Sequence, residues 1–529
     1  MYPTAAGSAA PDSPASTSTA STSGDFLQHA HQISRQSAVF LLGTLFTMAA
    51  GYLFKIYLAR VLGAEALGIY ALGMTAGGLV SIVGTAGVPQ TASRFVAIYA
   101  STGQSRKLQR FLWFGALLLL ATNSLVGIGM VAGRNWIAYR LYHTPALAHL
   151  MYLFAAIMVL GALTTFLSHA LAGYKEVAKR TVITNFIGTP ATMLFTVALL
   201  TLGLGLWGYL AAQVASAVLI AILLARAVWQ LTPKITQPTE EADRLPLFEK
   251  EVMSFAAVLL GMQALEFIGG QSDKILLGIY LNAREVGIYS VAATMVTFVG
   301  IFLQSVNQIF APTIAELFAK GEHELLLKLY QTLTKWSLGL TIPLALGIMI
   351  FAKPLMGIFG PDFREGWPVL AIATIGQLVS CSVGSVGLLL LMSNQQNRMV
   401  RAQAITMVLT LALNLVLIPR LGLIGAAIAT AATNTTLNLL WYLDVRRRLS
   451  LIPSRKGYVS LGLPTAATIL VLGLGRTLLR LHIPDIVTAG IAISAAYIAF
   501  VASAWRFATD EQDKLLGASV YARFRGMFA

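Results

Sequence analysis

The feature that most limits what this chain can become is its succession of long apolar runs. A bilayer core of about 30 Å needs about 20 apolar residues per helix. Runs of that size lie near 37–59, 68–90, 111–133, 147–171, 181–202, 206–229, 252–280, 287–312, 336–356, 367–392, 402–419, 423–443, 459–479 and 484–505, fourteen in all. None shows the alternating ten-residue pattern of a membrane barrel, so helices are the one way to satisfy the backbone in lipid. Charge agrees: only 11% of the 529 residues are Asp, Glu, Lys or Arg, less than half the roughly 25% that a water-facing surface carries. A soluble enzyme, a nucleic-acid-binding domain and a disordered scaffold are thereby excluded. An all-α polytopic membrane protein of about fourteen transmembrane helices remains.

The net charge of +15 would suggest nucleic acid in a soluble protein. Here it reports orientation. If the segments between runs alternate sides, 26 Lys and Arg fall on the side of the N-terminus and 10 on the other, with Lys55 inside a run. The side richer in Lys and Arg faces the cytoplasm, so both termini are expected there. Residues 1–34, rich in Ser, Thr, Ala and Pro, read as a disordered cytoplasmic tail. No secretory signal precedes the first run. Residues 506–529 read as a second cytoplasmic tail.

Several familiar signals carry no chemistry here. Cys381 is alone, so there is neither a disulfide framework nor a thiolate metal site. Gly203–Gly208 matches G-x-G-x-x-G but follows no strand, and neither a phosphate loop nor H-E-x-x-H occurs. No cofactor, metal or catalytic residue is expected.

The chain resembles itself at an offset near 219. Leu62–Leu72 aligns with Leu281–Val291 through a shared Gly-Ile-Tyr, Gly103 with Gly321, and Leu204–Gly208 with Leu421–Gly425. Each match occupies the same place in a block of six runs. Six is even, so both blocks enter the membrane from one side as parallel repeats facing a central cavity. The expected units are bundles at 35–230 and 251–445, a charged linker at 231–250, and two extra helices within 446–505.

Arg60–Tyr70, Ser272–Gly278, Glu285–Ser290 and Ile418–Thr430, in that order and spacing, resemble the bacterial polysaccharide-biosynthesis and oligosaccharide flippases. These form the Wzx-like branch of the multidrug/oligosaccharidyl-lipid/polysaccharide exporter superfamily. The resemblance implies a non-enzymatic flippase in the bacterial inner membrane. Its cargo would be an undecaprenyl-diphosphate-linked glycan moved from the cytoplasmic to the periplasmic leaflet, for O-antigen, capsule or exopolysaccharide. Expected partners are the lipid bilayer, that glycan and other polysaccharide assembly proteins. A lipid II flippase or an ion-coupled drug/cation antiporter of the same superfamily is the alternative. A membrane polymerase or ligase needs a sizeable outer loop, and the outer segments here are short.

Polar groups inside a span are costly, so they usually face a cavity or a partner. Thr44, Thr47, Gly51 and Lys55 share one face of the first run. Lys55 is either a contact for a diphosphate or sugar carboxylate or a side chain snorkelling to the interface. Gln263, Glu266, Gly270, Asp273 and Lys274 share a face of the seventh run. Gln263 and Lys274 are read as cavity residues, and Glu266 and Asp273 as candidates for coupling to H⁺ or Na⁺. Asp273 and Lys274 can equally pair at a helix end. Gln304 and Asn307 either bind sugar hydroxyls or bond between helices. Arg94 either meets an anionic headgroup at the cytoplasmic mouth or is an ordinary inner-side cation. No aromatic platform for sugar is evident from the spread of Phe, Tyr and Trp.

Overall fold

A computed structural model describes residues 18–233, 250–478 and 485–509. Among these residues the chain is helical throughout, with no strand. The first half comprises α1 Ser18–Thr85, α2 Val88–Ser101, α3 Ser105–Ala132, α4 Ala146–Gly173, α5 Val177–Thr181, α6 Thr189–Thr201 and α7 Gly205–Leu231. The second comprises α8 Lys250–Tyr280, α9 Ala283–Val296, α10 Ile301–Lys320, α11 His323–Ile350, α12 Ala352–Gly357, α13 Trp367–Val383, α14 Val386–Met392 and α15 Gln396–Leu449. The appended helices are α16 Arg455–Ser460, α17 Gly462–Leu478 and α18 Asp485–Phe507.

Twelve helical stretches among the described residues are long and apolar enough to cross a bilayer. Two of them contain a glycine with non-helical backbone, Gly63 (φ 81°) in α1 and Gly422 (φ 57°) in α15. The chain doubles back at both. A Cβ on Gly425 would lie 2.2 Å from the Leu417 carbonyl oxygen, although residues eight apart in one straight helix are about 12 Å apart along its axis. Likewise Lys55 and Met74 line one cavity despite being about 28 Å apart along a straight helix. Each of these two helices therefore supplies two limbs.

The turns fall where the sequence separates the runs 37–59 from 68–90 and 402–419 from 423–443. The first helix is described from Ser18, within the 1–34 segment that the sequence reads as a tail. Residues 1–17, most of the 231–250 linker (residues 234–249) and tail residues 510–529 lie outside the described residues.

Contacts between connecting segments sort the two ends of the bundle. At one end the Arg60 Nε–H donates to the Ile358 carbonyl (2.7 Å), and Arg284 pairs with Glu365 (2.8 Å). At the other, Arg94 pairs with Glu251 (3.0 Å), Arg398 with Asp444 (3.3 Å), and Gln331 donates to the Ile452 carbonyl. Each contact joins segments that the alternation assigns to the same side.

The repeat is visible in the backbone as well as in the sequence. Left-handed turn residues recur as Gly103 and Gly321 (φ 70° and 73°), Lys175 and Asn394 (62° and 59°), and Gly205 and Gly422 (52° and 57°). Their separations are 321 − 103 = 218, 394 − 175 = 219 and 422 − 205 = 217. Lysine adopts this conformation at some cost, and its recurrence opposite Asn394 shows that the turn is imposed by the fold.

The halves meet through one such pair. Ala64 and Gly68 of α1 correspond, 219 residues on, to Ala283 and Gly287 of α9. A Cβ on Gly68 would lie 1.6 Å from the Ala283 oxygen, and one on Gly287 would lie 1.9 Å from the Ala64 oxygen. Two helices cross here backbone to backbone with no room for a side chain, at the Arg60 end of the bundle. Leu72, Val286, Ile288 and Val291 are fully buried around the crossing.

Candidate functional site

Just inside that crossing lies a cavity of about 690 Å³, lined from both halves. The first limb of α1 contributes Gly51, Phe54 and Lys55, and its second limb Tyr70 and Met74. α6 contributes Thr189 and Thr192, α7 Tyr209 and Gln213, and α8 Phe267, Gln271 and Lys274, with Ser290 and Thr294 from α9. Lys55 Nζ donates to the Ser290 carbonyl (3.3 Å) and to the Thr294 hydroxyl, and Lys274 Nζ donates to Gln271 Oε1 (2.8 Å). Among the described residues, no carboxylate lines this cavity. Two ammonium groups therefore face it with only neutral partners, an arrangement that favours an anion.

The two lysines are equivalent positions of the repeat, since 55 + 219 = 274. The same step carries Thr44 to Gln263, Thr47 to Glu266 and Gly51 to Gly270. The two polar faces found separately in the sequence are thus one face, present once in each half.

A second cavity of about 610 Å³ shares Met74, Gly78, Phe267 and Gln271 with the first. It runs on past Gln263 and Glu266 to Thr85 and Gln90, toward the Arg94 end. Gln263 Oε1 is buried there without a hydrogen-bond partner. Lys55, Gln263, Glu266 and Lys274 are therefore brought together along one continuous path.

The remaining sequence candidates lie elsewhere. Asp273 lines neither cavity, because consecutive helix residues point about 100° apart and Lys274 takes the inward direction. The Asp273 carboxylate accepts from the Tyr289 hydroxyl (2.6 Å) and the Lys274 backbone N–H (2.7 Å). Tyr289 in turn accepts from the Thr430 hydroxyl (3.1 Å). The Asp273–Lys274 side-chain pairing is not formed, since Lys274 turns to Gln271. Arg94 is exposed, pairs with Glu251, and stacks over Phe255 at 4.7 Å. It ties α2 to α8 and lines neither of these two cavities. Gln304 and Asn307, on α10, line neither cavity, although Asn307 Oδ1 is buried without a partner.

Sequence reasoning missed an aromatic wall. Tyr70 and Tyr209 pack with their rings tilted at 54° and centroids 5.0 Å apart, and Gln213 donates to both hydroxyls. A signal existed: Tyr70 and Tyr289 end the two Gly-Ile-Tyr strings, and their partners Gln213 and Thr430 are also repeat equivalents (430 − 213 = 217).

Known proteins place this geometry in a family. A family profile described as "Polysaccharide biosynthesis protein" matches residues 33–318, more than half of the chain. The chain belongs to that family. A MatE profile matches residues 259–419. The chain is 32% identical over 170 residues to the probable low-salt glycan biosynthesis flippase Agl15 of Haloferax volcanii, covering 31% of this chain and 36% of that protein. It is 25% identical over 208 residues to the succinoglycan biosynthesis transport protein ExoT of Rhizobium meliloti, covering 39% and 40%. The matches thus span well under half the length of these relatives. Among solved structures, the lipid II flippase MurJ in an inward closed conformation superposes with a TM-score of 0.70 at 15% identity, covering 89% of this chain and 99% of that one. At that identity the likeness is one of fold: this is a multi-pass membrane protein with the MurJ architecture.

Proposed function

We propose that this protein is a flippase that carries an undecaprenyl-diphosphate-linked oligosaccharide from the cytoplasmic to the periplasmic leaflet by alternating access. One observation supports the reading above all: repeat-related Lys55 and Lys274 face a single cavity that no carboxylate among the described residues lines. Holding a cation inside a membrane costs roughly 2.5–3.5 kcal/mol per residue. Retaining two in one cavity makes sense if an anion of two charges, such as a diphosphate, offsets both. Tyr70 and Tyr209 offer ring faces and hydroxyls to sugars, while the polyprenyl tail stays in lipid.

The Ala64–Gly68 and Ala283–Gly287 crossing closes the periplasmic end in this reading, and the second cavity leads cargo in from the cytoplasm. In this reading about fourteen helices cross the inner membrane, with both termini cytoplasmic. Glu266 is the coupling group for H⁺ or Na⁺, because it stands on the cargo path with no pairing partner among the described residues; Asp273 serves as a structural acceptor. A drug/cation antiporter fits less well, since a cation would enter a cavity that already holds two.

Proteoliposomes containing the parent protein test the cargo class. Translocation of a fluorescent polyprenyl-diphosphate glycan, with no efflux of cationic dyes, is expected. Dye efflux without glycan movement would sink the reading.

A further inference from the structure

A second concave site lies at the Arg60 end, away from the central cavity. It is a pocket of about 480 Å³ between the first limb of α1, the α11–α12 corner, the turn before α13, and the appended helices α17 and α18. Four cations line it, Arg60, Lys353, Arg364 and Arg476, against one acid, Asp485. None of the four has an ion-pair partner among the described residues. The alternation of the runs assigns only 10 of the 37 basic residues to this side, so four of them in one pocket run against the bias that places cations on the other side.

Two further features point to a ligand. Thr488 is 2% exposed, lines the pocket, and its hydroxyl oxygen is buried without a hydrogen-bond partner. A buried unpaired hydroxyl costs about 1–3 kcal/mol, which a bound acceptor would remove. Asp485 and Thr488 also sit in the first described turn of α18, a helix of 23 residues, and the N-terminal end of a helix dipole favours an anion. The cationic side is shaped by bare backbone: a Cβ on Gly357 would lie 3.0 Å from Arg364 Nε. Arg60 is held at the rim by its bond to the Ile358 carbonyl.

We propose that this pocket is an anion site for a phosphate-bearing lipid headgroup at the outer interface, and that α17 and α18 are attached to the repeat partly to build it. The headgroup has two sources: the diphosphate of cargo that has crossed, or a resident anionic phospholipid. The first source rests on the cargo proposed above; the second is independent of what binds in the central cavity.

Full-length protein in phosphatidylcholine nanodiscs, carrying Lys55→Ala and Lys274→Ala to silence the central cavity, is titrated calorimetrically. The probes are farnesyl diphosphate and, separately, dihexanoyl phosphatidylglycerol. Arg364→Gln with Arg476→Gln is expected to weaken binding about tenfold or more, the equivalent of one lost charge-assisted hydrogen bond. Thr488→Val is expected to weaken it while leaving ligand-free thermal stability equal or higher, whereas a purely structural threonine would lose stability and keep affinity. Loss confined to farnesyl diphosphate identifies departing cargo, and loss confined to phosphatidylglycerol identifies a resident lipid. Affinity for both probes unchanged in Thr488→Val and in the arginine variant overturns the site. If the arginine variant fails to fold, parent-like affinity in Thr488→Val overturns it alone. The central reading is judged apart, by whether the two lysine substitutions alter glycan transport.

Discussion

Gly287→Ala is the smallest change that should disturb the closed end. The added Cβ would sit 1.9 Å from the Ala64 oxygen and 2.9 Å from the Gly68 nitrogen. A carbon–oxygen contact needs at least about 3.3 Å, so the helices must part by about 1.4 Å where two backbones now touch. Neither obstacle is a flexible side chain, and the crossing lies in the fully buried core. Overpacking of this kind costs about 1–3 kcal/mol. In the closed state alone, that penalty raises the open-to-closed ratio roughly 5- to 150-fold. The reporter is a single cysteine at Thr192 on the cavity wall, in a Cys381→Ala background, reacting with a membrane-impermeant maleimide added outside spheroplasts. Gly473→Ala is the control, because nothing lies within 4 Å of its Cβ position. Faster labelling in Gly287→Ala than in Gly473→Ala is expected. Equal rates would refute the claim that this crossing is the outer closure.

Three other substitutions separate roles that the structure distinguishes. Tyr289→Phe removes a 2.6 Å bond to the Asp273 carboxylate and should lower thermal stability by about 1.5–3 kcal/mol. Tyr70→Phe, whose counterpart bond to Gln213 is 3.4 Å, should cost less; the reverse order in a detergent melt would contradict the assignment. Arg94→Gln breaks an exposed pair worth at most about 1 kcal/mol and should leave transport near the parent rate, whereas a large loss of glycan transport would return Arg94 to the cargo path. Glu266→Gln should abolish the response of transport to imposed H⁺ or Na⁺ gradients while cargo binding, measured by titration, persists; an intact gradient response removes Glu266 from coupling.

The helices were legible because span length and low charge leave a membrane chain few choices, and even the two reversals fall in gaps between runs. The full reach of the repeat was not. Lys55 and Lys274 match under the 219-residue offset, but Thr44 and Thr47 face Gln263 and Glu266, so a comparison of letters does not reveal that the two polar faces coincide. Asp273 and Lys274 look like a pair in sequence, yet a single helical step sends one toward Tyr289 and the other into the cavity. The Tyr70–Tyr209 wall is a tertiary contact between α1 and α7 that no local pattern announces. The partner of Arg94 was no more legible: Glu251 begins the second half, 157 residues away.

The most direct test of the lysine cradle is the rate at which a labelled polyprenyl-diphosphate glycan changes leaflet in proteoliposomes. It should be compared in the parent, in Lys55→Ala with Lys274→Ala, and in Lys55→Arg with Lys274→Arg. The cradle predicts near-complete loss in the alanine pair and substantial recovery in the arginine pair, because charge rather than shape at two equivalent positions holds the diphosphate. Parent-like transport by the correctly folded alanine pair would contradict it.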